Sequence, residues 1–234
     1  MAGRQHAKIL TACIINVMQL QCKSNVFRSG GNKLSALIKM EQLRAECAGC
    51  LRCALSDGRT NLVFGTGNPQ AEVMLIGEGP GEQEDLQGIP FVGPAGKLLD
   101  TMLELIDLDR EKVYIANIVK CRPPHNRDPR DEEIEACHPW LEEQISAVSP
   151  KIIVCLGRIA ACSLIRKDFR ITREHGEWFT AGGSVCTAVY HPSALLRDPE
   201  KRPEAFEDLR AIRAKIKELC VRTYDSVSTS HASL

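Results

Sequence analysis

Five cysteines lie in two groups that could hold a metal centre together. Cys47, Cys50 and Cys53 belong to one compact segment, CAGCLRC, whereas Cys121 and Cys137 are separated by fifteen residues. Four thiolates are the ligand set of a tetrahedral zinc site or of an iron–sulfur cluster. A zinc ribbon usually carries two compact pairs, so the open spacing of the second group favours an iron–sulfur cluster.

A glycine-rich, acidic turn is the second chemically distinctive feature. The apolar run Val73–Gly77 is followed by EGPGEQED, which carries four acidic residues and no lysine. A dinucleotide-binding fingerprint would need glycine where the chain has Glu82, and a P-loop would need a following Gly-Lys-Ser/Thr sequence. Two interpretations remain. The glycines supply the dihedral angles of a tight loop, or backbone amides approach a neutral flat ligand while carboxylates stabilise positive charge. Phe91 could stack on such a ligand or belong to the core.

The third chemically distinctive feature is the segment HPSALLRDP, which starts at His191. It follows a predicted strand, and its first proline stiffens the turn. Leu195, Leu196 and Arg197 would suit a wedge pushed into a base stack, with the arginine on a phosphate group. They would suit the apolar start of a helix equally well.

Alternating strands and helices must position these segments. Apolar runs predict strands at Val73–Gly77, Val113–Val119, Ile152–Leu156 and Val185–Tyr190. Helical spacing predicts helices at Lys33–Cys47, Ala95–Ile106, Asp131–Val148, Arg158–Arg166 and Pro203–Cys220. This order predicts an α/β fold with a mainly parallel sheet covered on both faces. Ligands of such sheets bind at the carboxyl ends of the strands, where the glycine-rich turn and His191 are expected.

Composition narrows the classes of protein further. The chain has 234 residues, no net charge, 44% hydrophobic residues and eleven cysteines. It is therefore not a bulk polycation, and any nucleic-acid surface must be a local basic face. The odd cysteine count and the normal apolar content argue against a disulfide framework, and no apolar run is long enough to span a membrane. We expect a cytoplasmic protein with an N-terminal extension at 1–33, one domain at 34–220 and a disordered tail at 221–234.

Taken in order, these motifs resemble the family 4 uracil-DNA glycosylases, the iron–sulfur branch of that superfamily. The resemblance covers roughly residues 47 to 210 and rests on six segments of this chain: CLRCALSDGRTNLVFGTGNP, GEGPGEQEDLQGIPFVGPAGKLL, YIANIVKCRPPHNRDP, EEIEAC, IIVCLGRIA and HPSALLRDP. It implies a three-layer α/β/α domain with a central four-stranded parallel sheet. It also implies a structural 4Fe–4S cluster bound by Cys50, Cys53, Cys121 and Cys137, beside which Cys47 is an additional cysteine.

The resemblance also implies a DNA-repair activity. The enzyme would flip uracil out of DNA and hydrolyse its N-glycosidic bond. Its partner would be uracil-containing DNA, and it would act as a monomer. Phe91 would stack on the base, Asn117 would read its polar edge, and backbone amides of Gly77, Gly79 and Gly81 would help to hold it.

His191 would donate to uracil O2 as the base leaves, and Glu78 is the candidate for orienting or activating water. Leu195 and Leu196 would fill the gap in the duplex, while Arg197 would hold a phosphate. The basic loop around Lys120, Arg122 and Arg127 would hold phosphates as well.

Two positions depart from this pattern. His125 lies in a loop where a sister branch carries a histidine and becomes covalently attached to the abasic sugar, so covalent trapping is an alternative. His175 stands where the family commonly has arginine before glycine. A second alternative, from a different class of protein, is an iron–sulfur module that binds DNA or senses oxidants without hydrolysis.

Overall fold

The structure is a computed structural model that describes the backbone of residues 31–224 and the side chains from position 35 onward. The predicted N-terminal extension at 1–33 falls almost entirely outside the described residues, and so does most of the tail predicted at 221–234. The part of that tail that is described, residues 221–224, is held by Glu72. Its buried carboxylate accepts the backbone N–H groups of Val221, Arg222 and Thr223.

A mixed sheet forms the middle layer. Its strands, all bounded within residues 66–189, are β1 (Thr66–Gly67), β2 (Val73–Gly77), β3 (Tyr114–Asn117), β4 (Ile152–Leu156), β5 (Trp178–Ala181) and β6 (Ser184–Val189). Their order is β1-β3-β2-β4-β6-β5, and the four central strands are parallel. The central four-stranded parallel sheet is therefore confirmed. The short antiparallel edge strands β1 and β5 were not predicted.

Helices cover both faces of this sheet, as predicted. The helices are α1 (Gly31–Ala48), α2 (Glu82–Gln87), α3 (Pro94–Glu104), α4 (Asp131–Val148), α5 (Arg158–Leu164), α6 (Ile171–Glu174), α7 (Pro192–Arg197) and α8 (Arg202–Leu219). Short 3-10 turns occur at Ala54–Ser56, Pro124–Asn126 and Pro199–Lys201. No helix in the described part of the chain is long and apolar enough to cross a membrane.

The alternation of side chains along the strands creates two cores. On one face, Met74 and Ile76 of β2 pack among residues of α1, α4 and α5. On the other, Val73 and Leu75 pack among residues of α3, α7 and α8. Because both faces of β2 and β4 are buried, their sequences VMLIG and IIVCL are continuously apolar.

The register of the parallel strands brings distant segments to one edge. Gly77 at the end of β2 is paired with Asn117 at the end of β3, and Leu156 at the end of β4 is paired with Val189 of β6. The residues that follow these strands, Glu78, Gly157 and His191 among them, therefore surround one space at the carboxyl edge of the sheet.

Candidate active site

A cavity of about 470 Å³ lies at this edge. It is lined by residues at, or beyond, the carboxyl ends of the four parallel strands, including Glu78, Asn117, Asp128, Arg158 and His191. Its size falls within the usual range of small-molecule sites, roughly 300–1,000 Å³. The sequence predicted roles for Glu78, Asn117 and His191, but it gave no role to Asp128 or Arg158.

Asn117 and Phe91 form the buried wall of the cavity. Asn117 is 1% exposed, and its Oδ1 is a buried side-chain oxygen without a hydrogen-bond partner among the described residues. Gly77 lies between the two side chains, since a Cβ placed there would be 2.5 Å from both Asn117 Oδ1 and Phe91 Cζ. An unpaired buried oxygen costs roughly 1–3 kcal/mol unless a ligand donates to it. The wall is therefore built for a flat molecule that carries an N–H group.

The loop that carries Phe91 is held in an unusual conformation. Phe91 has φ of 55°, in the left-handed region that residues with a side chain rarely adopt. The Glu84 carboxylate accepts the N–H groups of Val92 at 2.9 Å and Gly93 at 2.8 Å, and it also accepts the N–H of Gly81 at 3.1 Å. These contacts fix the loop from the side of α2.

Arg110 and Gly96 hold the same loop from the side of α3. Arg110 donates to the carbonyl oxygens of Pro90 and Phe91, and it also pairs with Asp100. Gly96 leaves room for the loop, because a Cβ there would lie 1.8 Å from the Phe91 oxygen. Neither Glu84 nor Arg110 was predicted from the sequence to have this role. The acidic turn contained Glu84, but nothing local to it indicated that its partners lie eight and nine residues further on.

His191 begins α7 and is oriented by its own turn. Its Nδ1 accepts the backbone N–H of Ser193 at 3.1 Å and lies 2.8 Å from Ser193 Oγ. A neutral imidazole that accepts at Nδ1 carries its proton on Nε2, so this turn selects the tautomer that can donate. Burial, together with the nearby Arg197, lowers the pKa of His191 to about 4. The ring lies 5.7 Å from the Phe91 ring, centroid to centroid.

Glu78 is a half-buried carboxyl in the same cavity. Burial, reinforced by the neighbouring Asp128, raises its pKa to about 7, while Arg158 and Arg197 act in the opposite direction. A carboxyl that titrates near neutral pH is suited to exchange a proton with water. Gly79 and Gly81 also line the cavity, but the N–H of Gly81 is already engaged by Glu84 and is not available to a ligand.

Two predicted DNA contacts need correction. Leu195 is 2% exposed and packs in the core against the sheet, so its side chain cannot enter a duplex; only Leu196, which is 42% exposed, can do so. Lys120 is also buried, because its ammonium group donates to Asn117 O and to Gln144 Oε1. It stabilises the interior and does not hold a phosphate.

The remaining basic residues predicted near DNA divide into two kinds. Arg127 is paired through two hydrogen bonds with the buried Glu133, which gives it a structural task in the loop. Arg122 donates to Asn126 and pairs with Glu82. Arg197 is exposed and lines the cavity, where it faces the region in front of His191.

The cysteines of the two predicted groups lie together beneath α4. Cys47, Cys50, Cys53, Cys121 and Cys137 line one small cavity. Three of the thiols receive N–H groups: Cys50 from Trp140 Nε1 at 3.2 Å, Cys121 from Arg59 at 3.4 Å and Cys137 from the Lys120 backbone at 3.3 Å.

These donors suit thiolate ligands of a cluster, whose charge N–H groups stabilise. Cys47 differs, since it is wholly buried and burial raises the pKa of its thiol to about 12. Within residues 31–224 no three histidine, cysteine or acidic side chains are grouped tightly enough to hold a single metal ion.

The two histidines that depart from the family pattern lie outside this arrangement. His125 is exposed, has φ of 55° and does not line the cavity. His175 is half-buried; its Nδ1 lies 2.8 Å from Asp208 Oδ2, and its ring packs on Tyr190. It joins α8 to the end of β6, so it has a structural role in the fold.

Comparison with known proteins agrees with the fold and identifies the family. A family model described as the Uracil DNA glycosylase superfamily matches residues 64–212 of the chain. A protein named type-4 uracil-DNA glycosylase from Archaeoglobus fulgidus is 46% identical over 189 residues, which covers 77% of this chain and 93% of that protein. One of the same name from Thermotoga maritima is 42% identical, covering 76% of this chain and 95% of that protein.

More distant similarity reaches a different type of uracil-DNA glycosylase. A type-5 uracil-DNA glycosylase from Thermus thermophilus is 32% identical over 151 residues, which covers 56% of this chain and 68% of that protein. The greater identity and coverage lie with the type-4 proteins. This chain belongs to the type-4 uracil-DNA glycosylases.

Proposed function

We propose that the protein removes uracil from DNA by hydrolysing the N-glycosidic bond, which leaves an abasic site for repair. The observation that carries this proposal is the unpaired Oδ1 of buried Asn117 in the cavity wall. A flipped uracil offers N3–H to this oxygen and O4 to the amide N–H. Cytosine presents an acceptor and a donor in the reverse positions, so the same amide rejects it.

Phe91 lies beside Asn117 and supplies the stacking surface for the base. Its buried ring and its clamped loop mean that the surface exists before the substrate arrives, so little conformational entropy is lost on binding. Gly77 keeps the space between ring and amide open. Backbone groups near Gly79 are the remaining candidates for contacts with the base.

His191 donates from Nε2 to uracil O2 while negative charge develops on the leaving base. It does so as a neutral imidazole, because its folded pKa of about 4 keeps it unprotonated near neutral pH. Donors of this kind are worth on the order of 100- to 1,000-fold in rate. Ser193 positions the ring through Nδ1 and so keeps the donating proton on Nε2.

Glu78 orients the attacking water and accepts its proton, and in its ionised form it stabilises positive charge on the sugar. Burial places its titration near pH 7, so the base form becomes available just where proton transfer from water is most useful. Leu196 fills the gap in the duplex and Arg197 binds a flanking phosphate. We also propose that the protein acts as a monomer.

A 4Fe–4S cluster is the group that the cysteine cavity would hold, through Cys50, Cys53, Cys121 and Cys137. Its contribution when bound is structural: it ties α4, the loop after β3 and the segment after α1 together. The N–H groups donated to three of these sulfurs, and the complete burial of Cys47, support this choice of four among the five thiols. Reduced thiols of this kind are typical of the cytosol.

The experiment compares excision from strands that contain uracil, cytosine or thymine, read as alkali-labile breaks on a denaturing gel. Asn117→Asp should lose uracil excision or lose its discrimination against cytosine, and His191→Ala should slow excision more than tenfold. Asn68→Asp is the matched control, because Asn68 only accepts a turn N–H and aspartate can do the same. Unchanged excision by Asn117→Asp would refute the proposed pocket. A DNA adduct that survives denaturation would instead support covalent trapping at His125.

A further inference from the structure

An ion pair bridges two loops at the cavity. Asp128 lies in the loop after β3, Arg158 is the first residue of α5, and Asp128 Oδ2 lies 2.5 Å from Arg158 Nη2. Both side chains line the cavity, and both are more than half exposed. An exposed pair of this kind contributes about 0–1 kcal/mol to stability. Its place beside Glu78 therefore matters more than its contribution to folding.

The charged groups that face Glu78 come from three different elements. Asp128 approaches from the loop after β3, Arg158 from α5 and Arg197 from α7, while Glu84 of α2 and His191 line other parts of the same cavity. His191 is neutral, and the Glu84 carboxylate is saturated by backbone N–H groups. Asp128 and Arg158 are thus two opposite charges, paired with each other and both acting on Glu78.

We propose that the Asp128–Arg158 pair sets the protonation state of Glu78, with Asp128 favouring the protonated carboxyl and Arg158 the ionised carboxylate. The pair positions charge and does not itself touch the reacting atoms. Burial sets the pH range in which Glu78 titrates, and the balance of the pair moves the midpoint of ionisation within that range. The consequence for the reaction rate rests on the proposed role of Glu78, whereas the consequence for the titration of Glu78 does not.

The sign of each effect follows from Coulomb's law. A negative neighbour makes ionisation of Glu78 less favourable and a positive neighbour makes it more favourable. Asp128→Asn removes the opposing carboxylate and leaves Arg158 and Arg197 to act together, so Glu78 should ionise at lower pH. Arg158→Gln leaves Asp128 opposed by Arg197 alone, so Glu78 should ionise at higher pH. The double variant removes both charges and should lie between the two.

The direct test follows the carboxyl carbon of Glu78 by NMR in glutamate-labelled protein between pH 4 and pH 9, with Glu78→Gln used to assign the resonance. We expect midpoint shifts of at least about 0.5 pH unit, downward for Asp128→Asn and upward for Arg158→Gln, since one nearby charge typically moves a carboxyl by that much or more. Arg158→Lys keeps the positive charge and should restore the midpoint. Glu218→Gln is the control, because it breaks an exposed ion pair on α8 away from the cavity.

Single-turnover excision of uracil over the same pH range separates the inference from the proposed function. Parallel shifts of the NMR midpoint and of the rate profile support both. Shifted midpoints with an unshifted rate profile support the control of Glu78 by the pair and refute Glu78 as the proton acceptor. Midpoints that stay the same in both single variants overturn the inference, whatever the rates are. The substitutions are at exposed positions, so thermal unfolding should change little.

Discussion

Replacing Gly77 by alanine tests the geometry of the base pocket directly. Gly77 ends β2, pairs with Asn117 across the sheet and separates that amide from the Phe91 ring. A Cβ at this position would lie 2.5 Å from Asn117 Oδ1, 2.5 Å from Phe91 Cζ and 2.8 Å from Phe91 Cε2. The backbone of Gly77 does not have positive φ, so the added methyl group causes no dihedral strain and the effect is purely steric.

The size of the effect follows from the overlap. Carbon atoms in contact lie about 3.5–4.0 Å apart, so the Phe91 ring or the strand must move by roughly 1 Å. Overpacking of this kind costs about 1–3 kcal/mol of stability, which this domain should survive. A displacement of about 1 Å at the groups that position a substrate costs on the order of 100-fold in rate. We therefore expect Gly77→Ala to fold and to lose uracil excision by about that factor.

Single-turnover excision of uracil from a labelled strand is the appropriate assay, with thermal unfolding measured on the same preparations. Gly58→Ala is the matched control, because Gly58 is exposed and a Cβ there meets nothing within 4 Å. The control should excise uracil as the parent protein does. If Gly77→Ala folded normally and retained the parent rate, Asn117 and Phe91 could not be the two walls of the base pocket.

Four further substitutions have outcomes that the structure specifies. Glu84→Gln removes the negative charge that accepts three backbone N–H groups, and its amide nitrogen cannot accept at least one of them, at a cost of about 1.5–3 kcal/mol per bond. It should slow excision at least tenfold because the Phe91 loop is released; normal rates would remove the clamp from the mechanism. Leu195→Ala should lower the free energy of unfolding by about 2–5 kcal/mol. Leu196→Ala should change it by no more than about 0.5 kcal/mol and slow excision from duplex more than from single-stranded DNA; equal losses on both substrates would contradict the wedge assignment. Glu78→Gln should raise the unfolding temperature at pH 8 and not at pH 4. The reason is that a carboxyl whose pKa is raised in the folded state lowers the free energy of unfolding as the pH rises from 4 to 8, and glutamine cannot ionise. An equal effect at both pH values would refute the raised pKa.

The sequence predicted the centre of the fold because the signal for buried parallel strands is local. The bounds of Val73–Gly77 and Ile152–Leu156 were predicted correctly, since both faces of these strands are buried and every residue is apolar. The edge strands were missed for the opposite reason. Thr66–Gly67 has only two residues, and Trp178–Ala181 is half-exposed and lacks a continuous apolar run.

Site residues were predictable where chemistry and strand ends coincide. They were not predictable where the outcome depends on packing between distant segments. Leu195 and Leu196 are adjacent and chemically identical, yet the turn of α7 places one in the core and the other in solvent. Lys120 stands in a basic loop segment, but its ammonium group is drawn inward by Gln144 of α4, twenty-four residues away. No local pattern distinguishes these cases, because burial is decided by the tertiary fold.

The environments of His191 and Glu78 explain how one cavity supports two different proton tasks. In water the carboxyl would lose its proton well before the imidazole became neutral. Burial reverses this order, since it lowers the pKa of His191 to about 4 and raises that of Glu78 to about 7. Above pH 7, therefore, a neutral imidazole donor and an ionised carboxylate acceptor coexist. His191 does not change its protonation state in this range, so its titration does not limit activity on the alkaline side. Environments that separate the pKa values of two groups in this way support the proposed roles, in which His191 stabilises the departing base and Glu78 receives the proton from water.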